Sequence, residues 1–116
     1  MKNSPLMSLH RPPAALVALI VAACVGTLAS SPAAAQVEFA QKKNCMACHS
    51  IERKVIGPAF KDVATKYAGQ TGAVDKLTAK VVKGGAGVWG NIPMPSNPQV
   101  TEAEAKQLVQ WILTLK

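Results

Sequence analysis

Apolar residues recur at helical spacing along most of the chain. Phe60, Val63, Ala64 and Tyr67 fall at i, i+3, i+4 and i+7, one face of a helix. Pro58 stands just ahead, where a helix start tolerates proline. Val74, Leu77 and Val81 mark a second helix, set off by Gly69 and Gly72 and closed by Gly84-Gly85. The clearest start signal is Thr101-Glu102-Ala103-Glu104, a capping box whose acids also suit a first turn. Behind it runs a broad apolar stripe of Ala105, Leu108, Val109, Trp111, Ile112 and Leu115. Val37 to Asn44 reads as a short helix running into Cys45. No segment alternates as a strand would, and there is no internal repeat. Gly84 to Val100 reads as a long loop without regular structure, a length that in a compact domain usually serves function. The expected fold class is all-α, although such stripes by themselves would equally suit a plain helical bundle.

The first 35 residues stand apart, holding 21 of the 57 apolar positions. Lys2 and Arg11 give a positive start, Ala14 to Ala23 is an uncharged apolar run, Ser30-Ser31-Pro32 breaks it, and Ala33-Ala34-Ala35 supplies small residues before Gln36. This is the order of a secretory signal peptide. Residues 1–35 are therefore expected to be removed, leaving a domain over 36–116 exported to the periplasm. An uncleaved anchor is the alternative, but the apolar run falls short of the roughly 20 residues a span needs. Val21-Ala22-Ala23-Cys24 also resembles a lipobox, which would tether the domain through Cys24.

The whole chain carries 13 Lys and Arg against 6 Asp and Glu, a net charge of +7. Without the export segment 11 basic residues remain against the same 6 acids, a charge of +5. The lysines are spread along the chain and no nucleic-acid motif accompanies them, so nucleic acid is not the expected partner. An 81-residue domain can build only a marginal core and often needs a staple. Two cysteines three positions apart close too small a loop to serve, so something else should complete the interior.

The motif with chemistry is Cys45-Met46-Ala47-Cys48-His49. Cys-x-x-Cys-His is the attachment signature of c-type haem. Two thiols on one helical turn can reach the two vinyl groups of the porphyrin, and the next residue turns its imidazole to the iron. A thioredoxin-like redox pair would expect a βαβ pattern, which is missing. A zinc site needs four ligands, and residues 36–116 offer three Cys and His. Export agrees with haem, since c-type haem is attached outside the cytoplasm. His49 is the only histidine after residue 35, so a second histidine ligand from the same domain is excluded. Met46 lies between the two cysteines and cannot reach the opposite face, leaving Met94 as the thioether candidate. Pro93, Pro95 and Pro98 stiffen its segment and rule out helix or interior strand. Water, a lysine or Tyr67 remain alternatives for the sixth position.

Taken together, Cys45–His49, Val55-Ile-Gly-Pro-Ala-Phe60, Lys61-Asp-Val-Ala64, Tyr67-Ala-Gly-Gln70, Gly87-Val-Trp-Gly90, Ile92-Pro-Met-Pro95 and the Trp111 helix resemble the short bacterial class I cytochromes c. These are monohaem periplasmic carriers that donate electrons to nitrite reductases or terminal oxidases. The resemblance covers residues 37–116 and implies four to five short helices wrapped around one covalently attached haem c. It implies that Cys45 and Cys48 form the thioethers, with His49 and Met94 as axial ligands. Pro58 would accept the His49 Nδ1–H through its carbonyl, Trp89 would donate to a propionate, and Asn97 would sit near the Met94 sulfur. Lys80 stands where the best-known relatives carry an arginine at the buried propionate. Trp89 as plain core and Asn97 as a turn residue are the simpler readings.

With both axial positions filled no substrate reaches the iron, so the expected function is one-electron carriage by a non-enzyme, in which His/Met ligation raises the potential relative to bis-His. The expected partners are redox proteins with acidic patches, met briefly by a monomer whose docking positives include Lys42, Lys43, Lys54, Lys61 and Lys83. No small-molecule substrate is expected. The competing readings are a haem peroxidase or ligand sensor with a labile Met94, and a haem-stapled interaction module that never shuttles.

Overall fold

The computed structural model describes residues 31–116. Most of the expected export segment, including Cys24, lies outside the described residues. Four α-helices follow in order: α1 (Pro32–Lys42), α2 (Phe60–Tyr67), α3 (Ala73–Lys83) and α4 (Glu102–Ile112), with a 3₁₀ turn at Cys45–Ala47 after α1. The all-α expectation holds. Among the described residues extended pairing is confined to one isolated antiparallel bridge, Gly85 with Met94.

Helix α1 begins five residues before the expected start at Val37. Ser31 caps it, its hydroxyl accepting the Ala34 N–H at 3.2 Å, and Pro32 occupies the first turn. Ser at the cap, Pro at the first position and a run of Ala are strong helix-start chemistry. The same residues that break the apolar run in the sequence therefore open a helix, and a cut after Ala35 would fall within its first turn. Asn44 then adopts a left-handed backbone, φ 63°, which asparagine tolerates better than most residues, and turns the chain into the 3₁₀ segment.

Helix α2 has no side-chain cap. Its first N–H groups are instead taken up by the segment that follows His49: Phe60 donates to the Ser50 carbonyl at 2.9 Å and Lys61 to that of Ile51 at 3.1 Å. Helix α3 ends at Gly84, φ 75°, where a Cβ would lie 2.4 Å from the Met94 carbonyl oxygen, so only glycine fits. Helix α4 has the capping box read from its sequence: the Thr101 hydroxyl accepts from Glu104 N at 3.3 Å, and Glu104 Oε2 accepts from Thr101 N at 2.9 Å. The helix stops at Ile112, short of Leu115. The Lys43 ammonium, 2.8 Å from the other Glu104 oxygen, and the Thr101 N–H hold the Glu104 carboxyl below the ordinary carboxylate range.

Helix α4 is the central element, packed most extensively by α3 and also by α1 and α2. Ala40, Val100, Ala105 and Leu108 form one buried cluster between α1 and α4. Tyr67, Ala73, Leu77 and Val109 form the other, where α2, α3 and α4 meet. Alanine is prominent in both, and the largest fully buried side chains are Leu108 and Val109. This thin core agrees with a domain whose interior is shared with something other than its own side chains.

Thr78 on α3 is 4% exposed and its hydroxyl has no hydrogen-bond partner among the described residues. A buried polar group left unpaired costs about 1–3 kcal/mol. Replacing it by a group of the same shape, Thr78→Val, is predicted to raise stability by about 1 kcal/mol in urea denaturation, with no change in the slope of the transition.

Candidate functional site

An apolar cleft opens between the segment after His49, the inner faces of α2, α3 and α4, and the loop from Gly85 to Pro95. It encloses about 1070 Å³, partly continuous with solvent. Phe60, Val63, Tyr67, Leu77, Val81, Val109 and Ile112 supply its floor and walls. Each lies on the stripe that the helical period marks as inward-facing.

His49 lines this cleft and is held from several sides. Its Nδ1 lies 2.8 Å from the Pro58 carbonyl oxygen. A carbonyl only accepts, so Nδ1 carries the proton, and in the neutral ring the lone pair is on Nε2. Phe60 stacks on the imidazole with centroids 5.1 Å apart and planes inclined by 21°, and Trp111 meets Phe60 edge-on at 5.8 Å. Gly57 closes the remaining side: a Cβ there would lie 2.4 Å from His49 Cε1 and 2.7 Å from Nδ1. Gly57 N–H donates to the Cys48 carbonyl at 2.7 Å, which ties this glycine to the pentapeptide. Gly57 is therefore a functional position that sequence reasoning missed. The quoted Val55–Phe60 motif contained it, but only the close approach of ring to backbone shows its task.

Met94 also lines the cleft and is half-buried. Its N–H donates to the Gly85 carbonyl at 2.8 Å and its carbonyl accepts from Gly85 N–H at 2.9 Å. The reading of 84–100 as structureless thus misses one pair of bonds that pins residue 94. Prolines restrict this segment, but the bridge fixes its place. Both flanking glycines sit under it, and that long-range pairing leaves no periodic trace in the sequence.

The remaining named residues divide. Cys48 lines the cleft, whereas Cys45 packs against the α1–α4 cluster, and neither is in a disulfide. Burial pushes the Cys45 thiol above its ordinary pKa. Pro58, Lys80 and Trp89 line the cleft. Lys80 is half-buried, has no ion-pair partner among the described residues, and lies along Gly85, where a Cβ would meet its Nζ at 2.4 Å. Trp89 is 39% exposed at the mouth, with the Lys66 ammonium 5.3 Å from its ring centroid. Asn97 lies outside the lining. Its carboxamide donates to the Val81 carbonyl at 2.8 Å and the Pro95 carbonyl at 3.2 Å, and its backbone N–H to Val82 at 3.2 Å, so it ties the Met94 loop to the end of α3. Ion pairs also sort the lysines: Lys42 pairs with Glu38, Lys43 with Glu104 and Lys61 with Glu52, while Lys54 and Lys83 have no such partner among the described residues.

Residues 33–116 match the family model for cytochrome c. The chain is 59% identical over 83 residues to cytochrome c-552 of Hydrogenobacter thermophilus, covering 71% of this chain and 83% of that protein. It is 56% identical over 79 residues to cytochrome c-551 of Azotobacter vinelandii, covering 68% and 95%. The crystal structure of Nitrosomonas europaea cytochrome c552 superposes with a TM-score of 0.67 at 54% identity, covering 69% of this chain and 99% of that one.

The residues present fit a haem. The cleft is apolar, its histidine is anchored through Nδ1 so that Nε2 is the nitrogen without a protein partner, and two cysteines outside any disulfide stand three residues apart. The unpaired Lys80 ammonium would suit a carboxylate. Gly57→Ala is predicted to displace the imidazole, because the added methyl overlaps the ring: such overpacking typically costs about 1–3 kcal/mol. The holoprotein should lose that much stability in denaturant titration, and its reduction potential should shift.

Proposed function

The chain belongs to the cytochrome c family, and on that premise we propose that it carries one electron at a time between redox proteins, through a haem iron held by His49 and Met94. The family brings one covalently attached haem c, and its members of this kind are electron carriers. The observation that carries the finer reading is that His49 and Met94 line one apolar cleft, each fixed by backbone hydrogen bonds.

When bound, the haem supplies a one-electron iron couple. Everything else falls to the protein. Pro58 holds His49 in the tautomer and orientation that present Nε2 to a metal, and such a bond also makes the ring a stronger donor. Met94 would offer its thioether from a backbone paired in both directions, which fixes the place from which its side chain reaches into the cleft. Asn97 acts through the loop it ties down. Cys45 and Cys48 form the covalent links. Phe60, Leu77, Val81 and Val109 exclude water, which disfavours the more highly charged ferric form. The Lys80 ammonium would neutralise one propionate, and the Trp89 indole N–H, its only donor, would serve the other. With His49 and Met94 both holding the iron, no position would be left for a substrate to coordinate, which speaks against peroxidase or sensor chemistry.

The mouth of the cleft supports brief docking. Ile56 and Ile92 are exposed there beside Val88 and Trp89. Lys54 lines the cleft beside them without an ion-pair partner among the described residues, whereas Lys83, also unpaired there, lies outside its lining. The paired Lys42, Lys43 and Lys61 remain available to an acidic partner, since exposed ion pairs are weak. We place the carrier in the periplasm as a monomer, following the export signal read in residues 1–35. Among the described residues no helix is long and apolar enough to cross a membrane.

Met94→Ala should open the sixth position. The ferrous variant is predicted to bind carbon monoxide, which the parent does not, and its potential should fall within the roughly 0.8 V range that axial ligands span. Electron transfer with an acidic partner should slow as ionic strength rises from about 0.01 to 0.15 M, over which the screening length shrinks from about 30 to 8 Å. Stopped-flow rates that stay flat across that range would exclude steering by the lysines.

A further inference from the structure

The segment that enters the pentapeptide and the loop that carries Met94 are joined by a polar clasp. Lys43 caps the C-terminus of α1, just ahead of Asn44 and Cys45. Gln99 stands in the turn after Met94 in which the Val100 N–H donates to the Asn97 carbonyl at 3.0 Å. Although 56 positions apart, Lys43 and Gln99 exchange hydrogen bonds. The Lys43 ammonium donates to the Gln99 carbonyl at 3.1 Å, and the Gln99 carboxamide donates to the Lys43 carbonyl at 3.2 Å. The second hydrogen of that carboxamide goes to Asn97 Oδ1 at 3.1 Å. Glu104 also holds the Lys43 ammonium, at 2.8 Å. The Asn97 side chain is thereby fixed as well. Its oxygen is taken by Gln99, and its nitrogen faces the Val81 and Pro95 carbonyls at 2.8 and 3.2 Å. Turned over, that carboxamide would set an oxygen against two carbonyl oxygens. One chain of bonds therefore runs from the end of α3, through the loop, to α1 beside the pentapeptide.

We propose that Gln99 is a positioning residue for the distal ligand: it fastens the Met94 loop to the segment that leads into Cys45, so that the two axial side chains keep their separation. The inference rests on the reading of His49 and Met94 as axial ligands. Gln99 is exposed and lies outside the cleft lining, so it acts only through the loop. The Gly85–Met94 bridge and the Asn97 carboxamide tie that loop to α3 and its end, away from the pentapeptide. Val100 is buried in the cluster between α1 and α4, but an apolar contact has no direction. The Gln99 bonds supply the direction. Without them the loop more often takes up positions in which the thioether is off the iron. An added ligand for the sixth position binds only those open forms, so its apparent affinity reports their population.

The test is a titration of the ferric holoprotein with imidazole, which competes with Met94 for the iron, followed by the Soret band. Gln99→Ala removes both carboxamide bonds and leaves the Lys43–Glu104 pair in place. Its apparent affinity for imidazole should rise about 3- to 10-fold over the parent's, roughly what one net hydrogen bond is worth. Gln107→Ala removes a glutamine contact between α1 and α4, to Gln36 at 3.4 Å, that does not involve the loop, and its affinity should equal the parent's. An unchanged affinity in Gln99→Ala overturns the proposal. So does an equal rise in both variants, because a general loss of stability acts in both. Met94→Ala separates this from a failure of the ligation: it should bind imidazole far more tightly than the parent. If it binds no more tightly, Met94 does not hold the iron, and the axial reading falls together with the clasp.

Discussion

The hydrogen bond from His49 Nδ1–H to the Pro58 carbonyl is the contact on which the rest of the site depends. It fixes the tautomer, and the stacked Phe60 and close Gly57 fix the ring plane. The bond is not an isolated feature of one turn. Gly57 is tied to the Cys48 carbonyl, and the first amides of α2 are tied to Ser50 and Ile51, so the pentapeptide, the proline loop and α2 are joined by hydrogen bonds into one unit. Helix α2 in turn packs on α4. The position of an imidazole nitrogen is thus set by the same bonds that start a helix.

The other wall is built by a second set of long-range ties. Gly84 lets α3 end against the Met94 backbone, Gly85 pairs with Met94, and Asn97 holds the loop to the last carbonyls of α3. Between the walls the protein's own core is slight. A domain this small buries a modest share of its surface and tends to need added interior. A covalently attached haem in the cleft would supply that interior. Structure and function are then coupled, since the group that accepts the electron also completes the hydrophobic core.

Much of this was legible in the sequence, for identifiable reasons. The α4 capping box and its apolar stripe are local signals, and they carried through into the structure with only the end displaced from Leu115 to Ile112. The Phe60–Tyr67 face did the same. Cys-x-x-Cys-His is short and chemically particular, which is why it pointed to haem before any fold was known. Helix α1 starts ahead of the expected Val37 because Ser31-Pro32 and the alanines after it serve two purposes: they resemble a cleavage region and they also begin a helix. The Gly85–Met94 bridge, the engagement of Asn97 with α3, the Gly57 contact and the pairing of Lys43 with Glu104 all join residues by contacts rather than by pattern. No periodicity or composition announces them.

The central claim is a haem iron clamped by one imidazole and one thioether, and proton NMR of the ferrous holoprotein tests it most directly. A methionine bound to the iron lies in the ring current of the porphyrin, so its methyl signal moves far upfield of any other. The account predicts one such methyl, assigned to Met94, in a diamagnetic low-spin spectrum. A paramagnetic high-spin spectrum without that signal would contradict it.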